Sequence, residues 1–328
     1  MEENLYTVRL YNEQDKAVWN NFVHTAKNAT FLFERDYMEY HKDRFDDFSL
    51  LVFDKKDNLV ALVPANRVEN TVYSHNGLTY GGVIIKKDIK LIKYIHIFKS
   101  ILKYLNTNKI DSFFVKEIPP IYCDTFSGEL MYTLFLCNAK LMRCDSLSVL
   151  DLQSKYHIKN NRKEGIKRGI NNHLVVKNEQ DFSGFFNQIL IPNMLKKHKV
   201  LPIHTLEEMQ MLHNKFPKNI QLFTVYKENE ILAGTVVYLS KNVVHAQYIF
   251  GNETKNQHGA IDYLHYHLIT QVFANKKYYD FGTSNEYYGR KLNEGLCYWK
   301  STFDTQTVSQ SFYEVATENH AILDSVFI

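Results

Sequence analysis

The chain has 328 residues, enough for two domains or one large one, and 45% of them are hydrophobic. With 22 Tyr and 22 Phe it carries apolar surface for a sizeable core, which excludes an intrinsically disordered chain. Its 39 basic and 36 acidic side chains leave a net charge of +3, so any anion site must be a local cluster rather than a global basic surface.

The N-terminus, MEENLYTVRLYNEQD, has neither a basic start nor an apolar run, so no signal peptide is expected and the chain is expected in the cytoplasm. Leu5–Leu10 reads as a strand and Asp15–Ala26 as a helix, followed by an aromatic loop and short helix over Thr30–His41. Ser49–Phe53 and Leu59–Val68 form a hairpin by turn chemistry, and Ser74–Ile85 continues as a glycine-bearing strand. The helix Ile89–Asn106 is interrupted by Lys90, Lys93, Lys99 and Lys103, which rules out a membrane span. The strand Ser112–Glu117, a helix over Gly128–Asn138 and the strand Ser146–Leu152 close the first half. Four cysteines, Cys123, Cys137, Cys144 and Cys297, show no CxxC pair and no histidine at zinc-site spacing, so they read as reduced, buried thiols, and no metal is expected.

The second half runs through a helix Ser154–Ile170, a strand His173–Asn178 and helices Asp181–Lys197 and Thr205–Phe216. The hairpin Ile220–Tyr226 with Glu230–Tyr238 follows, then the strand Val243–Phe250, the helix Ala260–Ala274 and the strand Tyr278–Phe281. LLVFDKKDNLVALVPANRVENTVYSH in the first half matches FTVYKENEILAGTVVYLSKNVVHAQY in the second, element for element, with His75 and His245 on corresponding strands. An internal duplication of an α+β unit explains this order.

Two ionisable groups stand inside aromatic runs of Tyr278–Asp304: Asp280, and Lys300 within Tyr298–Phe303, read as a strand. Such groups are costly to bury unless paired or used. A polar loop with Tyr287, Gly289 and Gly295 lies between them. Lys159, Arg162, Lys163 and Lys167 share a helical face, with Arg168 beside them, as either a solvated face or a phosphate-binding one. His75 sits near Tyr80 and Gly81-Gly82, where glycines let a ligand approach, whereas the apolar neighbours of His245 indicate a core position. Arg35 and Arg44 flank the aromatic loop, to clamp an anion or to pair with nearby aspartates.

NRKEGIKRGINNHLVV (Asn161–Val176), YYDFGTS (Tyr278–Ser284) and YWKSTF (Tyr298–Phe303), with RDYMEYHKDRF (Arg35–Phe45) and SHNGLTYGG (Ser74–Gly82), carry a family resemblance. Their order resembles the GNAT acyltransferase fold in tandem, as in the Fem-type branch of peptidoglycan-bridge aminoacyltransferases, closest to the acyltransferase-like proteins of polysaccharide clusters. The resemblance implies an α+β fold of two GNAT-like domains, 1–152 and 153–328, each a mixed, mostly antiparallel sheet flanked by helices.

It further implies an N-acyltransferase moving an acyl group from acyl-CoA, with acetyl-CoA the expected donor, to an amine. The implied acceptor is an amino sugar on a nucleotide or lipid carrier in surface-polysaccharide synthesis, attacked directly in an inter-domain cleft. Lys255, His258, Gly259 and Ala260 would meet the donor's pyrophosphate at a helix start, although the glycine pair is incomplete and Glu253 opposes a phosphate. Lys300, where the family places a lysine, would stabilise the oxyanion, and Asp280 would accept the amine proton or hold the strand. Arg35, His75, Tyr80, Arg162, Lys163, Arg168 and Tyr287 would contact substrate. Two alternatives stay open. One is tRNA-dependent aminoacyl transfer to a peptidoglycan precursor, against which the lack of a charged helical insertion between Ile170 and Ile220 counts. The other is a non-catalytic binding protein on a degenerate GNAT scaffold.

Overall fold

A computed structural model describes residues 5–328, apart from the side chains at positions 197 and 198; the first four residues of the N-terminal stretch read for a signal peptide lie outside them. The chain forms two compact units, one running through Asp145 and joined by Ser309–Ile328, the other Ser146–Val308. The change of unit therefore falls at Asp145/Ser146 rather than after residue 152, and the C-terminal segment folds with the first unit. Its residues Phe312–Ala316 pair with Ser112–Lys116, and Thr317 donates to the carbonyl of Ile110, so backbone pairing decides the assignment.

In the first unit an antiparallel sheet has the order Tyr6–Leu10, Leu50–Asp54, Leu59–Val63, Ile84–Ile85. A second ladder leads from Phe312–Ala316 through Ser112–Lys116, Thr71–Tyr73 and Asn66–Val68 to Asp46–Asp47, parallel only between Thr71–Tyr73 and Ser112–Lys116. The segment Leu59–Val68 is thus shared between two sheets. Pro64 has no N–H to continue the ladder, and the chain changes sheet there. Ser74–Ile85 is not one strand: residues 74–83 form a loop, and His75 adopts a left-handed φ of 80°. It has no strand position equivalent to that of His245. The helix Leu91–Thr107 buries Tyr94, Phe98, Ile101 and Leu105 at helical spacing and leaves Lys93 and Lys103 exposed. No helix among the described residues is long and apolar enough to cross a membrane.

The second unit is built on a sheet of order Val175–Glu179, Ile220–Lys227, Glu230–Leu239, Val243–Gly251, Tyr278–Thr283 and the end of Lys140–Asp151. All neighbours are antiparallel except Val243–Gly251 and Tyr278–Thr283. One face buries Phe185 and Phe186 from the helical run Ser183–His198, which passes through a π turn at Phe186–Leu190. Leu206–Lys215, opened by a capping box between Thr205 and Glu208, adds Met209 and Leu212. The other face packs Val237, Val244 and Ala246 against Ala260, Leu264 and Leu268 of the helix Ala260–His267 and its π-turn extension.

Tyr298–Phe303 is not a strand. Asn293 accepts a hydrogen bond from the Leu296 N–H at 3.0 Å, and the helix Glu294–Ser301 follows. Leu296, Trp299, Lys300 and Phe303 recur at i, i+3, i+4 and i+7, a helical stripe that the aromatic content disguised as a strand. Cys123 and Cys137 are buried, and burial pushes both thiols up to about 12, whereas Cys144 is exposed and Cys297 half-buried. Among the described residues no cluster of three His, Cys, Asp or Glu side chains could hold a metal.

Candidate functional site

The basic helix Asn160–Asn171 meets the start of Ala260–His267 through glycines. A Cβ on Gly165 would lie 1.8 Å from Asp262 Oδ2, and one on Gly169 would lie 2.4 Å from the Tyr263 Cβ. Gly259 sits at the other side of this contact with φ +69°, and its Cβ would fall 2.0 Å from the Gly165 carbonyl oxygen. No side chain fits at these three points, so the helices approach to backbone distance. The approach brings Arg162 into an ion pair with Asp262, while Arg162 Nε donates to Thr302 Oγ1 at 3.0 Å. Trp299 Nε1 donates to the same Asp262 oxygen at 3.2 Å. Asp262, which no local motif marks, ties three elements together.

These elements enclose a cavity of about 470 Å³ whose lining includes Arg162, Arg168, Ile249, Lys255, Gly259 and Trp299. It opens at the start of Ala260–His267, whose N-cap Gly259 offers no capping side chain. The first-turn amides of a helix lack intrahelical acceptors and form its positive end, so an anion is favoured there. Arg168 is exposed at the rim, and its guanidinium makes no hydrogen bond or ion pair among the described residues. Lys255 Nζ donates to the Asn252 carbonyl at 3.0 Å. Of the loop residues expected to meet a phosphate, Lys255 and Gly259 reach the cavity; His258 is held by Asn172 at 3.2 Å, and Ala260 is wholly buried. Glu253 pairs with Lys196, is 85% exposed and is not among the residues lining the cavity. Lys163 is exposed outside the lining.

Asp280 and Lys300 lie on neighbouring elements behind this cavity. Lys300 is buried and donates to the carbonyls of Gly282 at 3.0 Å and Thr283 at 2.7 Å, bracing the end of Tyr278–Thr283. Trp299, not Lys300, faces the cavity. Asp280 accepts from the Gly282 N–H at 2.7 Å and lies 2.9 Å from His245 Nδ1. Burial lowers the Lys300 ammonium from 10.5 to about 8, with Asp280 opposing the shift. A lysine less basic folded than unfolded destabilises the fold below about pH 8, and that penalty is relieved as pH rises towards 10.5. Lys300→Met is therefore expected to lose part of the rise in stability across this interval, Lys116 of the first unit, also lowered by burial to about 8, contributing another part. Denaturant midpoints measured at several pH values check this, and an unchanged slope would mean that the ammonium is hydrated.

The first-unit candidates have partners of their own. Arg35 is buried, donates to Glu39 at 3.0 Å and Ser49 Oγ at 3.2 Å, pairs with Asp47 and stacks 3.8 Å above the Tyr11 ring. Its guanidinium is used within the unit, so an acceptor clamp is not its placement. His75 Nδ1 accepts from the Gly77 N–H at 3.1 Å, the ring stacks on His41, and burial lowers its pKa to about 3. Tyr80 shares a hydrogen bond with Thr30 Oγ1 at 3.0 Å. Tyr287 is 68% exposed at the tip of a small hairpin, with φ 49° beside Tyr288 at φ 55°, away from the cavity lining.

Sequence reasoning missed Asp262, Trp299 and the glycine contacts. The Gly165–Gly169 spacing was the available signal, a pair of small residues one helical turn apart. It also ranked His245 as core, because a period-2 reading cannot see the strand that supplies its partner.

Solved structures resemble the fold at low identity. FemX aligns with TM-score 0.67 and 9% identity over 95% of this chain and 98% of its own. L-PGS from Bacillus licheniformis aligns at 0.59 and 10% over 92% and 91%. A tandem GNAT protein from the clavulanic acid biosynthesis pathway aligns at 0.51 and 7% over 95% and 98%. The fold is accordingly α+β with two GNAT-like units in tandem. No curated protein matches the chain. The stretch that carries the glycine contacts, Asp262, His245 and Asp280 is the one that matches the family of the acetyltransferase (GNAT) domain, residues 153–290.

Proposed function

We propose that this protein is an N-acyltransferase whose second unit holds an acyl-CoA donor, acetyl-CoA first among the candidates. The acceptor in this reading is an amine, with an amino sugar on a nucleotide or lipid carrier of surface-polysaccharide synthesis as the preferred class. The observation that carries the reading is the cavity at the uncapped start of Ala260–His267, with Arg168, Lys255 and Gly259 around it. The donor supplies an acyl thioester, and these residues would hold its phosphates by charge and amide donation. The ion pair with Arg162 keeps the Asp262 carboxylate from repelling them, and the Trp299 ring forms an apolar wall. Lys300 acts by holding the Gly282 and Thr283 carbonyls, which sets the strand end that carries Asp280.

Calorimetry with acetyl-CoA on the full chain tests the reading. Saturable binding is expected; no heat at about 1 mM ligand, the level of about −4 kcal/mol, would remove the CoA donor. Binding without thiol release in the presence of a UDP-linked amino sugar would favour a non-catalytic binding protein. A second donor is suggested by the exposed stripe Lys163, Lys167 and Arg168 on Asn160–Asn171. Charged tRNA binding with a steep salt slope, together with silence in calorimetry, would favour aminoacyl transfer instead.

A further inference from the structure

His245 and Asp280 form the last register pair of the parallel ladder, and beyond them no further parallel pair forms, which leaves a fork between Val243–Gly251 and Tyr278–Thr283. Asp280 is 1% exposed, and its two carboxylate oxygens accept from the Gly282 N–H and face His245 Nδ1. A buried carboxylate beside Nδ1 fixes the proton on that nitrogen of the neutral ring, which leaves the lone pair on Nε2. Nε2 has no protein partner among the described residues, and the His245 side chain keeps 14% of its surface open. Gly282, at φ +71°, passes beside the ring: a Cβ there would lie 3.3 Å from Cε1, the atom between the two nitrogens.

Cross-strand pairing fixes where this ring points. His245 pairs with Tyr238 and Ile249 with Thr235, and the extra residue Gln247 between them puts the two side chains on opposite faces of the sheet. Ile249 lines the cavity, so His245 faces the other side of the fork.

We propose that His245 is the general base for the acceptor amine and Asp280 its positioning residue, donor and acceptor meeting in the fork from opposite faces. This rests on the acyl-transfer reading above. The amine gives a proton to Nε2 as its nitrogen forms a bond to the thioester carbonyl carbon. The carbon–sulfur bond breaks, and the departing thiolate takes up the proton that the imidazolium returns. The other titratable groups around this end of the fork are Lys300, close enough to interact with Asp280, Tyr238 on the adjoining strand, and Tyr248, bonded to His204 at 2.8 Å on the same face.

Nitrogen NMR of the histidine-labelled full chain is expected to show His245 neutral with Nδ1 protonated and Nε2 bare; a proton on Nε2 would overturn the assignment. In turnover of acetyl-CoA with a UDP-linked amino sugar, His245→Gln is expected to lose about 10²- to 10⁴-fold in kcat while acetyl-CoA affinity stays within about twofold. Asp280→Asn should lower kcat and move the His245 proton to Nε2. Wild-type turnover by His245→Gln would sink the proposal. Failure of the wild type to bind acetyl-CoA counts against the donor reading alone, since the tautomer is measured without it.

Discussion

Gly259→Ala is expected to destabilise the protein by about 2–5 kcal/mol, the sum of left-handed backbone strain and overpacking. The added methyl would lie 2.0 Å from the Gly165 carbonyl oxygen, and neither atom belongs to a flexible side chain that could turn aside. Relief requires the two helices to separate, which pulls Arg162 from Asp262 and opens the cavity floor. Chemical denaturation should therefore show a lower midpoint, and acetyl-CoA affinity should fall with it. Gly165→Ala makes the comparison informative. Its methyl meets the Asp262 carboxylate and displaces it from Arg162 and Trp299, but adds no left-handed backbone strain, so a smaller loss is expected. Equal midpoints for Gly259→Ala and wild type would show that the helix crossing is not tight in solution.

Arg168→Ala and Arg162→Ala are expected to separate binding from stability. Arg168 is exposed and its guanidinium unpaired among the described residues, so its loss should leave the denaturation midpoint unchanged within about 0.5 kcal/mol. Acetyl-CoA affinity should fall roughly 10- to 100-fold, the range of one or two charge-assisted hydrogen bonds. Arg162 is different. It and Asp262 are both largely buried, with 14% and 10% of their side chains exposed. Removing one partner leaves a carboxylate with little water, a loss of about 3 kcal/mol. The same unpaired charge then faces the donor's phosphates, so affinity falls as well. Unchanged acetyl-CoA affinity in Arg168→Ala would remove the phosphate role from this helix.

Much of the architecture was legible in the chain. Hydrophobic period and turn chemistry located the meander from Ile220 to Gly251, the helix after it and the strand Tyr278–Thr283, because each signal is local. The basic residues of Asn160–Asn171 and the loop at Gly251–Ala260 stood out for the same reason, as a solvated face or a phosphate site: charge clustering and glycine positions are written in consecutive residues. Where local signals compete, the reading failed. Tyr298–Phe303 has the composition of a strand, yet the Asn293 cap and the stripe Leu296, Trp299, Lys300 and Phe303 make it a helix. Ser74–Ile85 has strand residues, yet His75 takes a left-handed backbone conformation that ends any ladder there.

Residue roles depend on partners distant in sequence, and only the folded chain supplies those. Lys300 stood out as an ionisable group among aromatics, but which carbonyls receive its protons depends on how the helix Glu294–Ser301 docks. His245 and Asp280 are 35 residues apart, and one register pair between parallel strands joins them. A slip of one residue would turn His245 to the opposite face and dissolve the dyad. Most element types and the charge clusters follow from neighbouring residues. The cavity, the Arg162–Asp262–Trp299 cluster and the fork follow from register and helix docking, which the packing of the whole unit decides.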